Sequence, residues 1–440
     1  MSSTMLRRDF LRIGVVGIPL AVAAQTLGAT ESTAAQRAGG STKLRYWNPS
    51  SSQPSMDQVL KPKGEQWASA HRMQIEFVKV PYADYETKFL SAFATRENAP
   101  DIVIGVIAYW AGAVAVADPM PASLAKRMDN EVVAALQPGY KMQNRWYGGP
   151  DSGVVGLGPM LIYNPDDFRE VGLDPAKPPQ TMDEMLECAR KLVKRDGAGN
   201  ITRSGFAHRY DGALGLGIGG KFIPFLHAFG GRIYDPATGK SEGVTNSPEA
   251  VAALEYCVKY TQTEKLSSLT FGVPEVQFGQ RQASMMLREG HMAGWLPKNF
   301  PDVNFEFAPI PKAKTDGMGI TGVDSWGTLV YKFSPNREAA WDFLNTVVLT
   351  PDMDLAASRA VQFVPAFKAN WDGEYIRSRK DYKVLQYALT HSTGAMYMHP
   401  LNNKLADRQA LAVQEALLGK KKPKDALDQA AADMEKLVRG

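Results

Sequence analysis

The chain has 440 residues, of which 44% are hydrophobic and 22% charged, and it carries a formal net charge of +4 at pH 7. That length exceeds one ordinary domain and can bury a sizeable core in each of two. The charge surplus is weak, and no basic face interleaved with aromatics stands out, which argues against a nucleic-acid partner.

Leu6-Arg7-Arg8-Asp9-Phe10-Leu11-Arg12 matches a twin-arginine export signal, followed by a moderately apolar run from Ile13 to Leu27. Gly14, Gly17 and Pro19 interrupt that run and a polar stretch follows it, which favours an export signal over residues 1–35 against a transmembrane anchor. No cysteine lies near the junction, so a lipid anchor is not expected. The expected location is the periplasm. Cys188 and Cys257 both fall in amphipathic helical patterns, where a buried thiol behaves as a small hydrophobe; a disulfide between them stays open.

Lys43–Trp47 alternates and reads as the first strand, with the polar turn Asn48-Pro49-Ser50-Ser51-Ser52 behind it. A helix over Met56–Ala70, a strand over Ile75–Val80, an amphipathic helix over Tyr82–Thr95 and a buried strand from Asp101 to Ile104 follow. Strands alternating with helices imply α/β layers around a largely parallel sheet. Trp146–Gly158 is dense in glycine and reads as a hinge crossing. Met160–Tyr163 is a short apolar strand. Asn164-Pro165 with Asp166 and Asp167 starts a short helix that Gly172 ends. Thr181 with Glu184 is a capping box, and the helix behind it gathers Met182, Met185, Leu186, Ala189, Leu192 and Val193 on one face. Asp196, Ala198, Asn200 and Thr202 outline a calcium-type loop that fails at its twelfth position, Ala207, so a turn is expected there. Gly215, Gly217 and Gly220 satisfy G-x-G-x-x-G without the preceding strand or the later acid that a dinucleotide site needs. A glycine-rich approach to a helix at Phe222–Phe229 still offers backbone N–H groups to ligand oxygens.

Pro159–Lys194 resembles the pattern YNxxxFxxxGLDxPPxTxxExLxxAxKL of the extracellular solute-binding proteins of ABC importers, family 1, which includes the maltose-binding protein. Asn246-Ser247-Pro248-Glu249-Ala250, Phe278–Trp295, Phe305–Pro311, Ser334–Leu344, Gln362–Ala366 and Glu415–Val438 resemble further motifs of that family in the right order. Arg281 and Ser284 depart from it, standing where small residues are usual. The resemblance implies an α/β, type II periplasmic-binding-protein fold: two α/β lobes joined by a hinge, with the ligand cleft between them. It places lobe 1 at 43–153 plus 305–365 and lobe 2 at 154–304 plus 366–440. It further implies a monomeric importer component that binds a sugar, oligosaccharide or polyol and delivers it to membrane permease subunits. Phosphate esters, polyamines and other non-sugar solutes remain open, as does an exported carbohydrate-active enzyme.

Neither G-x-S-x-G nor H-E-x-x-H occurs, and the six histidines lack ligand spacing, so no catalysis, no metal and no cofactor are expected. Aromatic rings cover the apolar face of a sugar, while carboxylates, amides and hydroxyls take its hydroxyl groups. Taken at the family's cleft positions, the candidates are Trp47, Asn48, Ser52, Tyr82, Tyr109, Trp110, Tyr210, Asp211, Trp295, Asp324, Ser325, Trp326, Gln362 and Phe363. Trp47 and Trp326 lead, since each abuts a polar turn next to a predicted strand.

Overall fold

The computed structural model describes residues 43–439, apart from 50–54, 97, 107–115, 143, 158, 213, 314–322, 392–398 and 400. The segment expected to be an export signal lies outside the described residues, as do Ser52, Tyr109 and Trp110.

Strands β1 (Lys43–Pro49), β2 (Gln74–Val80) and β3 (Ile102–Val106) come first, in the expected alternation with helices, and β4 (Ala117–Asp118) follows. A short antiparallel pair follows, β5 (Lys141–Met142) with β6 (Arg145–Trp146), and then β7 (Pro150–Leu157). Most of Trp146–Gly158, read as a hinge crossing, is therefore strand up to Leu157. Beyond it lie β8 (Met160–Tyr163), the antiparallel pair β9 (Lys194–Arg195) and β10 (Ile201–Arg203), β11 (Met285–Arg288), β12 (Glu306–Ala308) and the long β13 (Val323–Tyr331).

The larger sheet has the order β2-β1-β3-β13-β4, with β7 also paired to β13. β1 is parallel to β2 and β3; β13 runs antiparallel to β3, β4 and β7. The smaller sheet is antiparallel, β11-β8-β12. Only two residues separate β7 in one sheet from β8 in the other. The chain returns between β12 and β13. Glu306–Ala308 thus pairs with the smaller sheet, although the expected boundary placed residues 305–365 in the first lobe.

β8 shows how the interior divides. Its side chains alternate between faces: Leu161 and Tyr163 enter a cluster built with helices Met182–Leu192, Pro248–Val258, Asn402–Leu417 and Pro423–Arg439. Met160 and Ile162 enter the other cluster, with Met292, Leu296, Leu385 and the core of the larger sheet. Local signals behave as their chemistry requires. Asn164 Oδ1 accepts from the N–H groups of Asp166 and Asp167, and Thr181 and Glu184 form the reciprocal capping box. Cys188 and Cys257 are free and buried, their thiols pushed up by desolvation.

Asp167 organises the start of this half. It is fully buried and accepts from Arg203 Nη1 at 2.8 Å, Arg281 Nη2 at 2.9 Å and Ser284 Oγ at 2.8 Å. Arg281 and Ser284, the two departures from the family pattern, therefore serve one buried carboxylate. Among the described residues no helix is long and apolar enough to cross a membrane.

Candidate functional site

Strand direction decides which residues can share a site. In the larger sheet the chain leaves at the end of β7, where Leu157 lies opposite Val323 at the start of β13. The carboxyl ends of β1 and β3 lie at the same end, since Trp326 near the start of β13 pairs with Val106 and Trp47 pairs with Val103. Carboxyl ends of parallel strands are where α/β sheets present ligand loops. In the smaller sheet Met160, just past the crossing, lies opposite Arg288 at the end of β11. Residues 204–207 run parallel beside β11 through the bridges Ser204 to Ala283 and Ala207 to Met286. His208–Asp211 and Glu289–His291 thus continue past the same edge, the one next to the crossing.

That topology brings Asn48, Asp324, Ser325 and Trp326 to one end of the larger sheet and Tyr210 and Asp211 to the adjoining edge of the smaller one. Asn48 is fully buried, Trp326 half-buried, Tyr210 half-buried and Asp211 exposed. Tyr82 opens helix Tyr82–Thr95, directly after β2. Trp47 and Trp326, expected to abut turns, lie inside β1 and β13. Their register puts them on opposite faces: Trp47 with Val103 and Leu329, Trp326 with Val106. Trp47 packs against the core of the larger sheet, and its carbonyl accepts from Tyr85 Oη at 2.8 Å.

The strand-to-helix turn after β11 is tied to the chain beyond helix Pro351–Val361. Gln362, exposed, ends that helix with φ 59° and covers the Cα of Gly294. Phe363 is half-buried and stacks on His291. Arg379 holds the arrangement together. It donates to the carbonyls of Gln362, Phe363 and Gly290 at 3.0–3.1 Å, and Asp381 neutralises it at 2.8 Å. Trp295 sits on helix Met292–Asn299, half-buried against Phe300 at 5.6 Å. Sequence reasoning missed His291, which lies within the recognised stretch Phe278–Trp295 without being part of its pattern, and Arg379, which lies beyond Gln362–Ala366 in no recognised motif.

The glycine-rich stretch has a packing role. A Cβ at Gly215 would lie 2.9 Å from Asp407 Oδ1, and one at Gly219 would lie 3.3 Å from the Cβ of Ala410. The N–H of Gly215 already donates to Asp407 at 2.8 Å, so it is not offered to a ligand. Ser, Thr and larger residues are kept out because helix Asn402–Leu417 approaches there. Asn402, at the start of that helix, accepts from Tyr234 Oη at 2.7 Å in the interior. Among the described residues no group of three or more His, Cys, Asp or Glu is gathered to hold a metal ion.

Residues 50–353 match the family described as bacterial extracellular solute-binding protein. A protein of Brucella abortus (strain 2308), named as a binding protein, is 21% identical over 333 residues, covering 74% of this chain and 75% of its own. An ABC substrate-binding protein from Listeria monocytogenes, solved with cycloalternan, aligns with a TM-score of 0.74 at 18% identity, covering 90% of this chain and 99% of the other. Maltose-bound MalE3 of T. maritima aligns with a TM-score of 0.73 at 19% identity, covering 90% and 99%. These likenesses fix the fold as the type II periplasmic-binding-protein architecture of two hinged α/β lobes. With the family pattern matched over residues 50–353, the chain belongs to the bacterial extracellular solute-binding proteins.

Proposed function

We propose that this protein is the solute-binding component of an ABC importer and takes a sugar, oligosaccharide or polyol between its lobes. The observation that carries this reading is the pair of sheet edges that meet at the crossing, one bearing Asn48, Asp324 and Trp326, the other Tyr210, Asp211, His291 and Phe363. Two rigid halves joined by short connections can close on a ligand that contacts both, and the ligand then favours the closed population. The structural neighbours solved with cycloalternan and maltose support a saccharide ligand.

The lobe boundaries we propose follow strand pairing as far as Tyr331, with the helices behind it divided at 371/374: the first lobe is 43–157 with 323–371, and the second is 160–312 with 374–439. The twin-arginine signal would send the folded chain to the periplasm, where the closed form docks on its permease as a monomer. A thermal-shift screen against sugars, polyols and phosphate esters tests the reading, because a ligand that binds only the folded state raises the melting point. A rise with saccharides supports it. A rise confined to non-sugar solutes, or turnover of a glycoside, would overturn it.

A further inference from the structure

The second lobe's edge holds a row of buried charges that the saccharide reading alone does not require. Arg209 Nη1 lies 3.6 Å from Glu275 Oε1, and Glu275 Oε2 lies 2.5 Å from Arg288 Nη1. Arg288 Nε donates to Glu289 Oε2 at 3.1 Å, and Glu289 Oε1 accepts from Lys221 Nζ. Signs alternate along the row, and both ends are cations. Three positive groups thus face two carboxylates, leaving one positive charge in excess. All five side chains are only 10–19% exposed.

Arg209 and Lys221 line one small cavity together with His208, Phe206, Phe225 and Pro274. His208 is 4% exposed and its Nε2 has no hydrogen-bond partner; Nδ1 of His291, beside Arg288, has none either. Burial keeps both imidazoles neutral at pH 7. They neither add to the surplus nor cancel it. The cavity, about 10 Å³, has room for one water-sized group, which suits a single oxygen more than a ring. Arg209 immediately precedes Tyr210 and Asp211 and Arg288 ends β11, so the row opens at the edge next to the crossing.

Resting on the saccharide reading, we propose that the solute is acidic: a uronate-type sugar whose carboxylate is received between Arg209 and Lys221. An unbalanced positive charge among aromatic walls is costly, and a bound anion removes that cost. A surplus of one charge matches a carboxylate and falls short of a phosphate dianion. Arg209 spends Nε on the Asp211 carbonyl at 3.3 Å and Nη1 on Glu275, leaving Nη2 for one carboxylate oxygen; the ammonium of Lys221 adds a point charge, and His208 Nε2 takes a hydroxyl proton or a bridging water.

Calorimetric titration of the protein tests this with galacturonate, digalacturonate and glucuronate against galactose, galactobiose and glucose, and with glucose 6-phosphate. We expect an acidic saccharide to bind about tenfold or more tightly than its neutral counterpart, as one charge-assisted contact supplies. Lys221→Met and Arg209→Gln should each bring that ratio toward one, while Lys221→Arg keeps most of it. If neither neutralising variant folds, the wild-type ratio decides alone. Equal or weaker binding of the acids, with neutral sugars still bound, overturns this inference and leaves the saccharide reading in place. Preference for glucose 6-phosphate overturns the carboxylate assignment. Binding of no saccharide at all overturns both.

Discussion

The imidazole of His291 and the ring of Phe363 lie face to face, centroids 4.9 Å apart and planes 17° from parallel. One belongs to the turn after β11, the other to the chain leaving helix Pro351–Val361. The stack therefore joins segments that sequence separates by about seventy positions and that both border the crossing. Phe363→Ala should lower ligand affinity by about tenfold, from a lost ring worth roughly 1–1.5 kcal/mol, with little change in melting temperature since the ring is half-buried. Titration beside a melting curve checks it, and unchanged affinity would remove Phe363 from the site.

Trp326 and Trp47 make a contrasting pair. Trp326 lies near the start of β13, beside the crossing, whereas Trp47 lies on the opposite face and packs on the core. Trp326→Ala is expected to weaken binding more than it lowers stability. Trp47→Ala should do the reverse, costing about 2–4 kcal/mol of folding free energy. Equilibrium urea unfolding and titration of both variants separate the two; the opposite ranking would exchange their roles.

Removing the Asp167 carboxylate should be costly. Arg203, 6% exposed at its side chain, would keep only Glu170 as an ionic partner, and Ser284 would lose its acceptor. Asp167→Ala should destabilise the fold by about 3–5 kcal/mol, the cost of breaking a buried pair from one side. A midpoint shift in denaturant smaller than one third of that would show that the network is dispensable.

Two glycines on neighbouring turns predict opposite outcomes for one substitution. A Cβ at Gly205 would lie 2.2 Å from the carbonyl oxygen of Ala189, a backbone atom that cannot move aside. One at Gly197 would meet nothing within 4 Å. Gly205→Ala should therefore lower the melting point by many degrees or prevent folding, while Gly197→Ala should be neutral or slightly stabilising. Similar melting points for the two would contradict the close approach.

Acid should weaken the fold through its buried imidazoles. Burial holds His208 down to about 3, and burial with Arg288 nearby holds His291 down to about 4. In the unfolded chain both titrate near 6.5. Each folded value is depressed, so the stabilisation is complete above about pH 6.5 and is lost as pH falls toward 4 and below. At pH 4.5 each group costs about 2–3 kcal/mol. His208→Phe, placed among Phe206, Phe225 and Tyr260, should lose less stability than the wild type between pH 7 and 4.5. Parallel melting curves at the two pH values measure the difference.

What the sequence made legible was local. The capping box at Thr181, the cap at Asn164 and the apolar face of helix Met182–Leu192 depend on residues within a few positions of one another, and all are present. The glycines at 215 and 219 were ambiguous because their partners, Ala406, Asp407 and Ala410, lie about 190 residues away. Separation in sequence also hid the charge row, since Arg209, Lys221, Glu275 and Arg288 meet only after β11 is seated beside residues 204–207. The extended state of β7 was missed because its pairing with β13 outweighs the low strand preference of glycine.

The interior behind Leu161 and Tyr163 is closed by Leu405, Val413, Leu427 and Met434. A nascent chain emerging from the ribosome would hold most of that apolar surface open until those last helices appear. This half must consequently mature only once residues 402–439 have been made, which makes truncations within them a hazard for chaperones.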